Sequence, residues 1–170
     1  MSEAAAAKQI EGSAWVFGDH VDTGYIMPGT FASLPDEELA HHIMAGIDPD
    51  FAGKTQPGDI IVGGVNFGCG SSRETAPRGL KYAKIGAVIA QNFARNFFRN
   101  AICIGLPVLI CPDAGNIQEG DRLRVDPIAG VVENLTRGDR LQAEPLPEHV
   151  MEMIRAGGMV AYLHEKHSNR

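Results

Sequence analysis

Apolar positions follow two different rhythms along this chain. Up to about residue 112, short continuous apolar runs alternate with stretches of helical period. Ser13–Gly18 reads as a short strand and Asp19–Gly29 as the loop after it. Leu34–Gly46 reads as a helix: Pro35 suits a first helical position, Asp36, Glu37 and Glu38 complement the positive end of the helix dipole, and Gly46 stops it. Asp59–Gly63, led in by Pro57–Gly58, is an apolar strand, as are Ala87–Ala90 and Leu106–Cys111. Their continuous apolar character is that of strands covered on both faces. Helices are expected over Thr75–Lys84 and Ala94–Gly105. From Asp121 to Leu146 the period changes to two, with Leu123/Val125, Val131/Val132 and Leu141 set among polar residues and glycine-containing turns. Glu148–Ala156 forms a last helix, stopped by Gly157–Gly158.

Strand–helix alternation followed by hairpins predicts an α/β fold, a mixed sheet or barrel flanked by helices. No repeat, low-complexity block or linker divides the sequence, so residues 1–170 read as one domain, with 1–10 and 165–170 as flexible ends.

Composition narrows the function classes. With 170 residues, 44% hydrophobic and 21% charged, the chain can bury roughly 70% of its unfolded surface without cross-links. Fifteen basic against 21 acidic residues give a net charge of −6, a poor match for nucleic acid or an anionic membrane. The longest apolar run, Ala101 to Cys111, is about half the roughly 20 residues a membrane-spanning helix needs. MSEAAAAKQIEG has no basic region followed by an apolar stretch, so the cytoplasm is the expected compartment. Cys69, Cys103 and Cys111 show no C-x-x-C spacing, which disfavours a disulfide framework, a zinc site or a self-contained iron–sulfur cluster.

The stretch that carries chemistry is Gly63-Gly-Val-Asn-Phe-Gly-Cys-Gly-Ser-Ser-Arg-Glu-Thr-Ala-Pro77. Its glycines permit backbone conformations that a Cβ forbids and let a ligand approach. It lacks both the Gly-Lys-[Ser/Thr] ending of a phosphate loop and the Gly-x-Gly-x-x-Gly of a dinucleotide site. Pro77 belongs in a first helical turn, so the helix starts near Thr75 or Ala76. Ser71, Ser72 and Arg73 then stand just ahead of a helix N-terminus, where free N–H groups favour an anion. Arg73 adds a planar fork suited to a carboxylate. The competing reading makes Ser71-x-x-Glu74 a capping box and Arg73 an ordinary surface cation. A second polar stretch, Gly18-Asp-His-Val-Asp-Thr-Gly-Tyr-Ile-Met-Pro28, reads in isolation as a loop of turn formers.

Together these two stretches resemble the small subunit, or swivel domain, of the aconitase superfamily, most closely its isopropylmalate dehydratase branch. The resemblance extends through Gln91-Asn-Phe-Ala-Arg95 and Phe98-Arg-Asn-Ala-Ile-Cys-Ile-Gly-Leu-Pro107 to Arg155-Ala-Gly-Gly158, nearly the whole chain. It implies a swivelling β/β/α domain that works over a large subunit. That subunit would carry a [4Fe-4S] cluster, with no cofactor or metal held by this chain. It also implies that Ser71 is the base that removes a proton from carbon, and that Ser72 and Arg73 grip a carboxylate of a small hydroxy-diacid. The segment Thr30-Phe31-Ala32-Ser33 is implied to discriminate among substrate side groups. Asp22, Thr23, Asn66, Gly68, Cys69 and Gly70 are expected to support the loops. The implied reaction is interconversion of 2- and 3-isopropylmalate by loss and re-addition of water, in leucine biosynthesis. A related hydro-lyase for dimethylmalate, citramalate or maleate-type acids, and a non-catalytic acid-binding or assembly module, are the alternatives.

The chain departs from the usual pattern at two positions: Asp22-Thr23-Gly24 replaces Asp-Thr-Asp, and Ser71-Ser72-Arg73-Glu74-Thr75 replaces Ser-Ser-Arg-Glu-His. One carboxylate and one imidazole are missing. The segment Gly29–Pro35 contains no Arg or Lys, which disfavours a tricarboxylate, while Phe31, Ala32 and Leu34 could face an alkyl group or dock the next helix. His41 and His42 are expected to be solvated, and Arg95 and Arg99 to form structural ion pairs.

Overall fold

The computed structural model describes residues 9–169. It contains seven strands: β1 (Ile10–Val16), β2 (Ile60–Gly63), β3 (Ala87–Ala90), β4 (Val108–Ile110), β5 (Arg122–Asp126), β6 (Val131–Asn134) and β7 (Asp139–Gln142). The α-helices are α1 (Thr23–Ile26), α2 (Asp36–Leu39), α3 (Phe51–Lys54), α4 (Thr75–Tyr82), α5 (Arg95–Ile104), α6 (Glu148–Ala156) and α7 (Met159–Ser168).

One sheet of order β4-β3-β2-β1-β5-β6-β7 joins all the strands. The half β4-β3-β2-β1 is parallel and the half β1-β5-β6-β7 antiparallel. The sheet curls into a half-barrel: just beyond β7, Glu144 N–H donates to the Ile110 carbonyl at 2.8 Å, which brings the two ends together. Side chains of the parallel strands alternate between two cores. Ile60, Val62, Ala87, Ile89 and Leu109 point into the curl with Leu123, Val125 and Val132. Ile61, Val88, Ala90 and Val108 face Leu80 of α4 and Phe97 and Ala101 of α5. Burial on both faces is why those runs are continuously apolar, whereas β5 and β6 alternate.

A single turn design launches the two strands that flank β1. In Gln56–Asp59 and again in Gln118–Asp121, the Gln N–H donates to the Asp side chain at 2.9 Å and the Asp N–H returns to the Gln carbonyl at 3.0 Å. Asp121 is 3% exposed and also accepts from Asn134 Nδ2 (2.8 Å) and Arg137 Nε (3.0 Å). Burial pushes its carboxyl pKa up, but the hydrogen bonds from Gln118, Asn134 and Arg137 outweigh this and hold it below the usual range. A carboxyl held low binds fewer protons folded than unfolded. Its contribution is therefore complete above about pH 4 and disappears as pH falls through the folded value. Asp121→Ala, which strands three donors, should cost about 2–4 kcal/mol, read as a lower urea midpoint at pH 7. Asp121→Asn should lose less stability than the parent between pH 5 and pH 3.

Several elements differ from the sequence reading. The expected helix Leu34–Gly46 is only α2 followed by a 3-10 turn, Ala40–His42. The chain then leaves the helical path at Met44 (φ 57°), whose N–H donates to the Ile26 carbonyl at 2.7 Å, and Gly46 N–H donates to the Tyr25 carbonyl at 3.0 Å. Gly46 is needed for close approach, since a Cβ there would lie 2.5 Å from Tyr25 Cα. Long-range bonding and burial of Ile43 and Met44 thus override local helix propensity. The first strand begins at Ile10, paired with Val125, inside the stretch expected to be a loose end. At the other terminus α7 runs through Ser168, where a flexible end was expected. Residues 1–8 of the expected N-terminal end lie outside the described residues. Among the described residues no helix is long and apolar enough to cross a membrane.

Candidate active site

The glycine-rich segment leaves the sheet where β2 ends and runs beside the loop that leaves β1. Gly64 passes so close to Asp19 that a Cβ would lie 1.9 Å from its Oδ1. That carboxylate accepts from Val65 N–H at 2.8 Å, and His20 N–H donates to the Val65 carbonyl at 2.8 Å. His20 and Asn66 both adopt positive φ (54° and 60°), with the Asn66 amide 3.3 Å from His20 Nδ1. Further along, Gly68 N–H donates to the Val21 carbonyl (2.7 Å) and Thr23 N–H to the Cys69 carbonyl (2.8 Å). Gly68 (φ 81°) lies directly on Phe97, leaving no room for a Cβ. Beneath it Phe67, fully buried, meets Phe97 edge-on at 5.3 Å. The loop therefore rests on a packed aromatic floor.

This pairing of segments sets the chemistry. Asp22 caps α1, its Oδ1 accepting from Tyr25 N–H at 2.8 Å. Thr23, 5% exposed, places its Oγ1 2.9 Å from Ser71 Oγ. Gly70 (φ 97°) makes the turn that carries Ser71 there. Ser71, Ser72 and Arg73 are all exposed, and α4 starts immediately beyond them at Thr75, with Pro77 in its first turn. Glu74 occupies the N-cap and no side chain caps the helix, so Ser71 is not engaged in a capping box. Its partner is Thr23.

The Arg73 guanidinium lies against the backbone of Gly29, where a Cβ would be 2.5 Å from Nη1. Among the described residues Arg73 has no acidic partner within 4 Å, so its fork is open to an anion. Gly29→Ala should displace the guanidinium with the melting midpoint unchanged, because the end of an exposed side chain can move aside.

The structure thus brings Asp22, Thr23, Cys69, Gly70 and Ser71 together, with Ser72 and Arg73 next along the chain and Gly29 against Arg73; Gly68 lies buried on Phe97, and Asn66 lies beside His20 and Asn92. Phe31 is placed otherwise than as an open wall: its ring stacks on His42 (centroids 3.8 Å apart, 4° between planes) and packs on the core with Leu34. Ala32 is half-buried, and Thr30 and Ser33 are exposed. His42 is accordingly half-buried, contrary to expectation, while His41 is exposed. Arg95 and Arg99 are exposed, and among the described residues neither forms the expected ion pair. Asn100, whose Nδ2 donates to the Ser72 carbonyl at 3.2 Å, was not distinguishable in the sequence. Asn92, whose Oδ1 accepts from Asn66 N–H at 2.6 Å, was equally hidden. Both act on loop backbone, which leaves no residue pattern.

At the two departures, Gly24 sits where a Cβ would be 3.1 Å from Asp22 Oδ1, so an aspartate there would press a second carboxylate on the α1 cap. Thr75 keeps a buried hydroxyl without a partner. The three cysteines lie apart, in the glycine-rich loop, on α5 and just beyond β4. Burial pushes the Cys111 thiol pKa up. Among the described residues no three His, Cys, Asp or Glu side chains gather to hold a metal ion. The described residues offer no ligand set for an iron–sulfur cluster.

Residues 36–112 match the aconitase C-terminal domain. The chain is 52% identical over 159 residues to the isopropylmalate/citramalate isomerase small subunit of Methanocaldococcus jannaschii, covering 92% of this chain and 95% of that one. It is 48% identical over 155 residues to the 2,3-dimethylmalate dehydratase small subunit of Eubacterium barkeri, covering 90% and 95%. The crystal structure of 3-isopropylmalate dehydratase from M. jannaschii superimposes with a TM-score of 0.88 at 43% identity, over 93% of this chain and 95% of that one. With the same curled mixed sheet and relatives of nearly its full length, the chain belongs to the 3-isopropylmalate dehydratase small-subunit family of the aconitase superfamily, a family of hydro-lyase subunits.

Proposed function

We propose that this chain supplies the base and the carboxylate grip of a hydro-lyase that interconverts 2- and 3-isopropylmalate in leucine biosynthesis. The observation that carries the reading is the exposed Ser71, its Oγ 2.9 Å from the buried Thr23 hydroxyl, beside Arg73, which has no acidic partner within 4 Å among the described residues. On this reading a [4Fe-4S] cluster resides on a large subunit against which this site docks, in the cytoplasm.

A serine removes a proton from carbon only as an alkoxide, and the site has two means of supporting one. The Thr23 hydroxyl can donate to the Ser71 oxygen, and the free N–H groups at the start of α4 lie just beyond. Arg73 holds a substrate carboxylate through two parallel N–H donors, with the Ser72 hydroxyl as a further donor. The Ser71 oxygen takes the C–H proton, and the C–H electron pair becomes the second bond of the alkene as hydroxide leaves the neighbouring carbon. Hydroxide adds back to the carbon that gave up its proton and Ser71 returns that proton to the other carbon, so one water is lost and one regained. Asn100 and the aromatic floor keep the loop from wandering, which supports the orientation such a transfer requires.

The test is co-expression with a large subunit, anaerobic cluster reconstitution, and a panel of isopropylmalate, citramalate, 2,3-dimethylmalate and citrate followed by ultraviolet absorbance of the unsaturated acid. Turnover of isopropylmalate, with citrate inert, supports the reading. Turnover of the other diacids alone would transfer it to a related hydro-lyase. Anion binding without any turnover would make the chain a non-catalytic module.

A further inference from the structure

The stack of Phe31 on His42 has no role in the chemistry above, yet Phe31 stands two residues from Gly29, which touches the Arg73 guanidinium. The Gly29–Phe31 segment is a single 3-10 turn, held by Phe31 N–H to the Pro28 carbonyl (3.0 Å) and Ala32 N–H to the Gly29 carbonyl (3.2 Å). On its outer side, Gly29 supports the Arg73 guanidinium. On its inner side, the Phe31 ring rests flat on the His42 imidazole, and His42 ends the 3-10 turn Ala40–His42. Beyond His42 the chain is anchored, since Ile43 and Met44 are buried and Met44 N–H bonds to the Ile26 carbonyl. A continuous line of contact therefore runs from an anchored backbone through two stacked rings and one short turn to the guanidinium.

The geometry points to His42 as a positioning residue that sets the depth of the Gly29–Ser33 turn beside Arg73, and so the size of the substrate side group the site accepts. The inference rests on the reading of Ser71 and Arg73 as the diacid site. A flat ring at position 42 is what the stack requires; a charge is not. With the ring present, the turn that carries the exposed Thr30 and Ser33 is held against Arg73 through Gly29. Without it, Phe31 drops toward the space vacated by the imidazole, the turn follows, and discrimination between a branched and a small side group weakens.

Two variants separate positioning from general damage: His42→Ala removes the ring and His42→Phe keeps it. In the reconstituted two-subunit enzyme, the ratio of kcat/KM for isopropylmalate to that for citramalate should change at least threefold in His42→Ala, through KM rather than kcat. His42→Phe should restore the parent ratio. In the isolated chain, amide hydrogen exchange over residues 30–34 should quicken about tenfold in His42→Ala and return to the parent rate in His42→Phe. An unchanged ratio in His42→Ala, or equal loss on both acids, overturns the specificity role. Unchanged exchange overturns the positioning itself, whether or not any acid is turned over. If the parent enzyme turns over neither acid while exchange responds as stated, the reading of the diacid site fails and the positioning of the turn stands.

Discussion

Ser71→Ala, assembled with a cluster-loaded large subunit, should lower kcat by about 10²–10⁴-fold, the range a positioned general base contributes. KM should change little, because the carboxylate grip is untouched. The size of the effect follows from geometry: Ser71 is exposed, its Oγ bonds the Thr23 hydroxyl at 2.9 Å and no other side chain among the described residues, and it does not cap α4. Removing it takes from the buried Thr23 hydroxyl its partner, which costs about 1 kcal/mol and lowers the melting midpoint slightly, while the start of α4 and subunit assembly should match the parent. A variant that folds, assembles and retains near-parent kcat would show that the proton leaves by another route.

Arg73→Lys should raise KM about 10- to 100-fold with a much smaller change in kcat. Losing a charge-assisted, two-pronged contact costs about 1.5–3 kcal/mol, and an ammonium cannot reproduce the planar fork. Here the fork has a seat, because it lies against Gly29 where no side chain intrudes. Lysine carries the charge but neither the plane nor the second donor pair. The substrate-saturation curve of the reconstituted enzyme measures this directly. An unchanged KM would mean that Arg73 fixes the loop to Gly29 without holding substrate.

The parallel strands were legible because burial on both faces wrote continuous apolar runs into Asp59–Gly63 and Ala87–Ala90. Helices α5 and α6 were legible from their stops, where Gly105 and Gly157 take left-handed caps. The break at Met44 was not legible, since its cause is backbone bonding to Tyr25 and Ile26, far away in sequence. Helix α7 was also missed: it buries no residue and leaves Val160 and Leu163 exposed, so it carries no core-facing stripe to read. At the site, the start of α4 followed from Pro77 alone, and with it the place of Ser71, Ser72 and Arg73. The Thr23–Ser71 contact needed the two polar stretches to be adjacent, which only the parallel pairing of β1 with β2 brings about. Gly29 looked like a turn former in the sequence; its use as the seat of a guanidinium depends on a residue 44 positions away.

The most direct measurement is a titration of this chain into a fixed amount of cluster-loaded large subunit, with isopropylmalate dehydration as the readout. Each polypeptide alone should be inactive, with activity rising to a plateau at one equivalent, and the Ser71→Ala chain should compete for the same place while suppressing turnover. A large subunit that dehydrates the acid equally fast without this chain would contradict the account.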